Sequence, residues 1–247
     1  SNGGQASAFN AGFAVATGDV IFMLDADDRF FPAKLPAIMP LYENFEIGWC
    51  HDRAHSDSAM PGDYGANRLI DARAGMRRGA FPILPVPTSA LSFRRELLAQ
   101  ILPMPVADGV TLSDNYLKFA AAFLAPGLLL GQALTFQRLH ENNRYTDKPD
   151  VWQLRAGIMR ATGYALASRY PALKRLGLEL VAGGLSDSRL PQAVIRDYLD
   201  KCVDTQVFGA NARLRCVMLV AKKKMAHAVR ATLSLSKTDN MRAEWQN

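Results

Sequence analysis

The 247 residues are 49% hydrophobic and 21% charged, an ordinary globular composition that suits one large domain or a domain plus an appendage. No apolar run approaches the ~20 residues of a membrane span. The three scattered cysteines, Cys50, Cys202 and Cys216, make neither a disulfide framework nor a close-spaced zinc site, so a reducing, cytoplasmic compartment is expected.

The net charge of +6 is unevenly placed: residues 1–140 carry 11 Lys/Arg against 13 Asp/Glu, and residues 141–247 carry 18 against 10. An acidic, metal-seeking half precedes a basic half suited to anionic partners. No aromatic-interleaved nucleic-acid signature is present, so nucleic acid is not an expected partner. In chain order, Asn2-Gly3-Gly4-Gln5 signals a turn, and Ala8 to Val15 predicts a short helix with a small-residue face. Thr17-Gly18 closes it, with Gly18 suited to a C′ cap. Val20 to Leu24 then reads as a short buried strand ending in Asp25, Asp27 and Asp28. A strand period of two puts Asp25 and Asp27 on one side and Asp28 on the other. Two convergent carboxylates suit Mg²⁺ or Mn²⁺ that also binds a phosphate; the plain alternative is a turn of solvated acids. A helix feeding straight into a buried strand is the second half of a βαβ crossover, so a preceding strand is expected upstream of Ser1.

Asn2-Gly3-Gly4-Gln5-Ala6-Ser7-Ala8-Phe9-Asn10-Ala11-Gly12, then Ala16-Thr17-Gly18-Asp19, then Leu24-Asp25-Ala26-Asp27-Asp28, together resemble the family 2 glycosyltransferases in order and spacing. The resemblance implies an α/β GT-A fold, a Rossmann-like mixed sheet flanked by helices, with its first strands missing and a helical C-terminal region following. It also implies a nucleotide-sugar donor touched by Asn10, Gly12, Asp25, Asp27 and Arg138, and a Mn²⁺ or Mg²⁺ ion held by Asp25, Asp27 and His140. One departure is Phe9, where many members carry an arginine near the donor phosphates.

Farther on, Lys34 to Tyr42 predicts a helix shortened or broken by Pro36 and Pro40, and Ile47 to His51 predicts a strand. His51, Asp52 and His55 have metal-ligand chemistry, but the loop-like sequence after them argues against a site. Residues 56–80 read as an irregular excursion bearing Arg68, Arg73, Arg77 and Arg78. Thr88 to Leu98 resembles the family's acceptor-side segment, a small-residue strand followed by Arg94-Arg95 and a helix. Ser113 is a fitting N-cap for a helix from Asp114. On the resemblance, Asp114 is the catalytic base, with Ser113 in place of the commoner first acid; as a bare sequence feature, Asp114 only complements the helix dipole. Thr135 to Asn143 resembles the family's Tyr-Arg-x-His-x-x-Asn ending and brings Arg138 and His140 into the expected site.

The expected organisation is a partial GT-A domain over residues 1–146, a helical basic region over 147–235 and a disordered tail over 236–247. Within the first part, residues 1–50 would end the nucleotide-sugar half and 51–146 form the acceptor half. The expected activity is metal-dependent, inverting transfer from a nucleotide diphosphate sugar, UDP-linked by first expectation. The acceptor would be a glycan, lipid-linked or protein hydroxyl, in cell-surface polysaccharide or glycoconjugate synthesis. The run Lys222-Lys223-Lys224 on a helix leaves two readings, peripheral contact with the anionic inner face of a membrane or a solvated face. Two alternatives stay open: a non-catalytic binding module, and a haloacid-dehalogenase-type phosphatase with Asp25 as nucleophile, which Asp28-Arg29 fits poorly.

Overall fold

The computed structural model describes residues 4–56, 65–106, 112–140, 150–187, 189–201 and 203–244, with side chains to residue 229. Expectations about Asn2-Gly3, the loop over 57–64 and Glu141-Asn142-Asn143 lie outside these residues. The chain divides between Leu154 and Arg155 into two compact units.

The first unit runs α1 (Gly4–Val15), β1 (Val20–Phe22), β2 (Arg29–Phe30), α2 (Lys34–Asn44), β3 (Trp49–His55), β4 (Arg68–Ile70) and α3 (Arg73–Arg77). A 3₁₀ turn at Thr88–Ala90 leads into β5 (Leu91–Arg94), α4 (Arg95–Ile101), α5 (Asp114–Leu124) and β6 (Gly127–Phe136). The strands form one mixed sheet in the order β1-β5-β3-β6-β2, with β4 also on β6. Only β3 and β6 pair in parallel, and their register shifts between His51 and Ala54.

Alternation along the central strands sorts the two faces. Cys50, Leu128, Leu130 and Leu134 meet Ile38 and Tyr42 of α2. Trp49 and His51 point the other way, where the Trp49 indole donates to the Ala125 carbonyl just beyond α5. α2 stays whole despite its prolines: Pro36 falls in the first turn, where N–H groups have no helical partner, and Pro40 forfeits one bond.

Two expectations are corrected here. Gly18 is not left-handed and does not cap α1. The Arg95 guanidinium closes that end instead, donating to the carbonyls of Gly18 (2.8 Å) and Ala16, a cation on carbonyls a helix end leaves unpaired. β1 is also shorter and less buried than expected: it pairs only with β5 and all three residues are half-exposed.

The central sheet buries one ion pair. Lys34 and Asp52 are both fully buried, with Lys34 Nζ 2.8 Å from Asp52 Oδ1. The ammonium also donates to the Ser89 carbonyl (2.6 Å) and the Thr135 hydroxyl (2.7 Å) and lies 4.2 Å from the Phe30 ring centre. Asp52 Oδ2 accepts from the Thr135 hydroxyl (2.8 Å) and the Leu134 N–H (3.1 Å). Burial lowers the lysine pKa and raises the aspartate pKa, while each charge opposes the other's shift.

The second unit holds most of α6 (Val151–Arg169), then α7 (Lys174–Leu185), α8 (Gln192–Lys201), α9 (Thr205–Phe208) and α10 (Ala212–Glu244). α6 and α7 cross at Gly163 and Gly177, where a Cβ on either would sit 2.4 Å from the other's carbonyl oxygen. The core gathers Leu178, Val181 and Leu185 of α7, Phe208 of α9, and Cys216 and Val220 of α10. The α10 backbone stays helical over 236–244, the stretch whose composition predicts a disordered tail.

Lys34→Met leaves Asp52 buried without its counter-charge, and we expect it to cost about 3–5 kcal/mol in chemical denaturation. Lys34→Met/Asp52→Leu should recover most of that loss; a harmless single substitution would contradict the structural role given to this pair.

Candidate active site

The acidic residues do not extend β1. The strand ladder ends one bond beyond it, at Met23 N–H to the Leu91 carbonyl, and a turn follows in which the Asp28 N–H donates to the Asp25 carbonyl (3.1 Å). The period-two argument therefore fails for Asp25, Asp27 and Asp28, because a turn, not a pleat, sets their directions. Asp28 is tied into the framework: its carboxylate accepts from Ser89 Oγ (2.6 Å) and the Arg138 N–H (3.0 Å). Asp27 Oδ2 lies 2.9 Å from His140 Nε2, both side chains about one-third exposed.

The 3₁₀ turn Thr88–Ala90 joins these parts. All three residues are buried. Ser89 Oγ accepts from the Asp25 N–H (2.9 Å) while donating to Asp28, and the Ser89 carbonyl receives Lys34. The Thr88 hydroxyl accepts from Gln5 Nε2 (3.0 Å). Gln5 Oε1 in turn accepts from the Asp114 N–H (3.3 Å). Gln5 thus bridges the buried turn at Thr88 and the backbone that starts α5.

Asp114 opens α5. Its neighbour Ser113 is the N-cap, with Oγ accepting from the Asn115 N–H (3.3 Å), the local reason the helix starts there. The Asp114 carboxylate meets Lys118 Nζ at 2.9 Å, and Lys118 also donates to the Val86 carbonyl (3.0 Å).

The electrostatics are lopsided. Asp25 is pushed up to about 6, first by burial, then by the carboxylates of Asp28, Asp114 and, least, Asp27, with the Thr88 hydroxyl opposing. This excess of negative charge around a carboxylate, with oxygen donors and an imidazole at hand, fits a hard divalent cation. Among the described residues, however, no three His, Cys, Asp or Glu side chains are gathered closely enough to hold a metal, and Asp27 and His140 engage each other directly.

Other expected donor residues have different surroundings. The Asn10 amide is occupied on both sides by the backbone of Met104, donating to its carbonyl (2.9 Å) and accepting from its N–H (2.7 Å). Gly12 is exposed, with open space where a Cβ would go. Arg138 reaches the acidic turn through its backbone N–H. His51 is stacked 4.5 Å from Trp49 and edge-on to Phe93, and burial pushes its pKa down to about 3. With Asp52 engaged by Lys34, the His51-Asp52-His55 group forms no metal site. Gln5, Thr88, Ser89 and Lys118 were not assigned roles by sequence reasoning; only Ser/Thr after a proline-rich stretch hints at a buried polar turn.

Residues 1–102 match the family described as Glycosyl transferase family 2. An uncharacterized glycosyltransferase of Nostoc sp. is 32% identical over 153 residues, covering 58% of this chain and 47% of the relative. Two crystal structures of S. aureus TarS 1–349 share the architecture. The complex with UDP-GlcNAc has a TM-score of 0.53 at 14% identity, covering 88% of this chain and 62% of that one. The second has a TM-score of 0.55 at 11% identity, covering 92% and 72%. The family match is confined to residues 1–102, and the chain has a GT-A-type fold, a mixed sheet flanked by helices and followed by a helical region. It spans about half the length of the curated relative it matches.

Thr88→Val removes the hydroxyl that accepts from Gln5 and leaves the Gln5 amide short of a partner. We expect a loss of about 1–3 kcal/mol in urea denaturation, whereas Thr88→Ser should stay near wild type. Equal stability of Thr88→Val and wild type would remove Thr88 from its role as the acceptor for Gln5.

Proposed function

We propose that the chain carries the transfer site of an inverting glycosyltransferase, moving a sugar from a nucleotide diphosphate donor, UDP-linked, to an acceptor hydroxyl. The observation that carries this reading is the acidic turn held by Ser89, with Asp114 at the start of α5 near enough for its charge to raise the Asp25 pKa. The family match supports the transferase class. The TarS structure with UDP-GlcNAc, whose fold is similar, is consistent with a UDP-linked donor.

In the proposed reaction Asp114 accepts the proton of the acceptor hydroxyl. The freed oxygen attacks the anomeric carbon from the face opposite the diphosphate. A carbon–oxygen bond forms as the bond to the diphosphate breaks, and the nucleoside diphosphate leaves with the bonding electrons. Asp114 must stand within hydrogen-bond reach of that hydroxyl, and Lys118 fixes its carboxylate while anchored to the Val86 carbonyl. A Mg²⁺ or Mn²⁺ held by Asp25, Asp27 and His140 would supply positive charge against the diphosphate. Ser89 holds the turn bearing Asp25 and Asp27 by its two hydrogen bonds. Acceptors of this chemistry are hydroxyls of glycans, lipid-linked sugars or proteins, in keeping with cell-surface polysaccharide or glycoconjugate synthesis.

Asp114→Asn keeps the shape of the side chain and removes its basicity. In the complete gene product it should lower transfer by about 10²–10⁴-fold while leaving nucleotide affinity unchanged. Full activity of Asp114→Asn in a nucleotide-release assay would refute the base assignment.

A further inference from the structure

α10 has two apolar faces, and its own unit covers only one. Ala212, Cys216 and Val220, with Leu219 beside them, pack into the core around α7, and Lys223 pairs with Glu179 of α7 at 2.8 Å. The other face holds Leu214, Val217, Met218, Met225 and Val229, which are 46–69% exposed, with exposed Ala221 between them. Steps of three and four residues align these side chains into one stripe. From residue 214 to 229 it extends ~22 Å at the helical rise. Scattered exposed hydrophobics need no explanation, but a contiguous stripe on one helix marks a contact surface.

The charge beside the stripe selects the partner. Arg215 and Lys222, seven residues apart, are exposed along one flank, and Lys224 lies on the other. Arg213 shares the second flank and reaches Asp200 of α8 at 3.7 Å. Between Ala212 and Val229 α10 contains five Lys/Arg residues and no Asp or Glu. A second copy docked stripe to stripe would bring basic flanks together. Negatively charged headgroups would complement both flanks while the acyl boundary takes up the Leu, Val and Met side chains. Long lysine and arginine stems let the charges rise to the headgroup level. No described helix is long and apolar enough to cross a membrane, so the stripe's geometry is that of a helix lying in the surface plane.

We infer that the stripe Leu214–Val217–Met218–Ala221–Met225–Val229, with its basic flanks, docks the protein on an anionic bilayer surface. This surface is independent of the proposed reaction and stands or falls separately from it.

The test is flotation of the full chain with vesicles of equimolar phosphatidylglycerol and phosphatidylcholine, against phosphatidylcholine alone, with sedimentation of the lipid-free protein in parallel. Binding is expected to the mixed vesicles only. It should fall about tenfold or more in Met218→Glu/Met225→Glu and also in Lys222→Glu/Lys224→Glu. The altered side chains are exposed or half-exposed, and unchanged circular dichroism would confirm folding. Absence of binding to the mixed vesicles, equal binding to both kinds, or insensitivity to either double substitution would overturn the inference. So would a lipid-free dimer that Met218→Glu/Met225→Glu dissociates, which would assign the stripe to a second copy.

Discussion

The buried pair of Lys34 and Asp52 holds the first unit together. A charged amine and a carboxylate withdrawn from water are tolerated only when each is matched and hydrogen-bonded. Here the matching draws in Ser89, Thr135 and Leu134 from two other segments. The helix after the acidic turn, the central strand β3, the long strand β6 and the 3₁₀ turn before β5 are thereby fixed to one point. Apolar packing alone would hold these elements at a distance but would not fix their register so tightly. The shift between β3 and β6 falls beside Asp52, where the strand gives up regular pairing next to its carboxylate.

From that point the polar network runs outward to the site. The Ser89 carbonyl faces the buried lysine, and its hydroxyl faces the acidic turn. Gln5 ties the Thr88 hydroxyl of the same turn to the start of α5. Carboxylates that would otherwise repel are held near one another, and the raised pKa of Asp25 is the electrostatic signature of that arrangement. A cation between these carboxylates would relieve their mutual repulsion, and it would have to displace the contact between Asp27 and His140. This is the physical basis for reading the site as a binder of a cation and a diphosphate.

Much of this was legible in the residues. The run from Asn2 to Asp28, read as a whole, resembles the family 2 glycosyltransferases, where Asp-x-Asp alone leaves a phosphatase open; the family match over residues 1–102 takes in that run. Ser113 announced a helix start by its hydroxyl, and α5 begins where a Ser-Asp pair favours it. Local rules failed where tertiary contacts supplied the answer. Gly18 looked like a helix cap, yet an arginine 77 residues away in sequence closes that end. Asp25 and Asp27 looked like strand residues, yet the chain had already turned. Lys34 reads only as the start of a helix and Asp52 as one member of a His-Asp-His group, because nothing local marks two charges as a buried pair. Gln5 and Thr88 escaped notice for the same reason: their partners lie 83 and 109 residues apart in sequence.

On the proposed function, the acidic turn, with His140 beside it, is where a divalent cation meets the nucleotide diphosphate. Crystals grown with Mn²⁺ and UDP, measured at the manganese absorption edge, test it directly. An anomalous peak is expected between Asp25, Asp27 and the UDP phosphates, with His140 drawn from Asp27 onto the metal. Manganese and UDP bound elsewhere on the protein, with Asp25 and Asp27 touching neither, would contradict it.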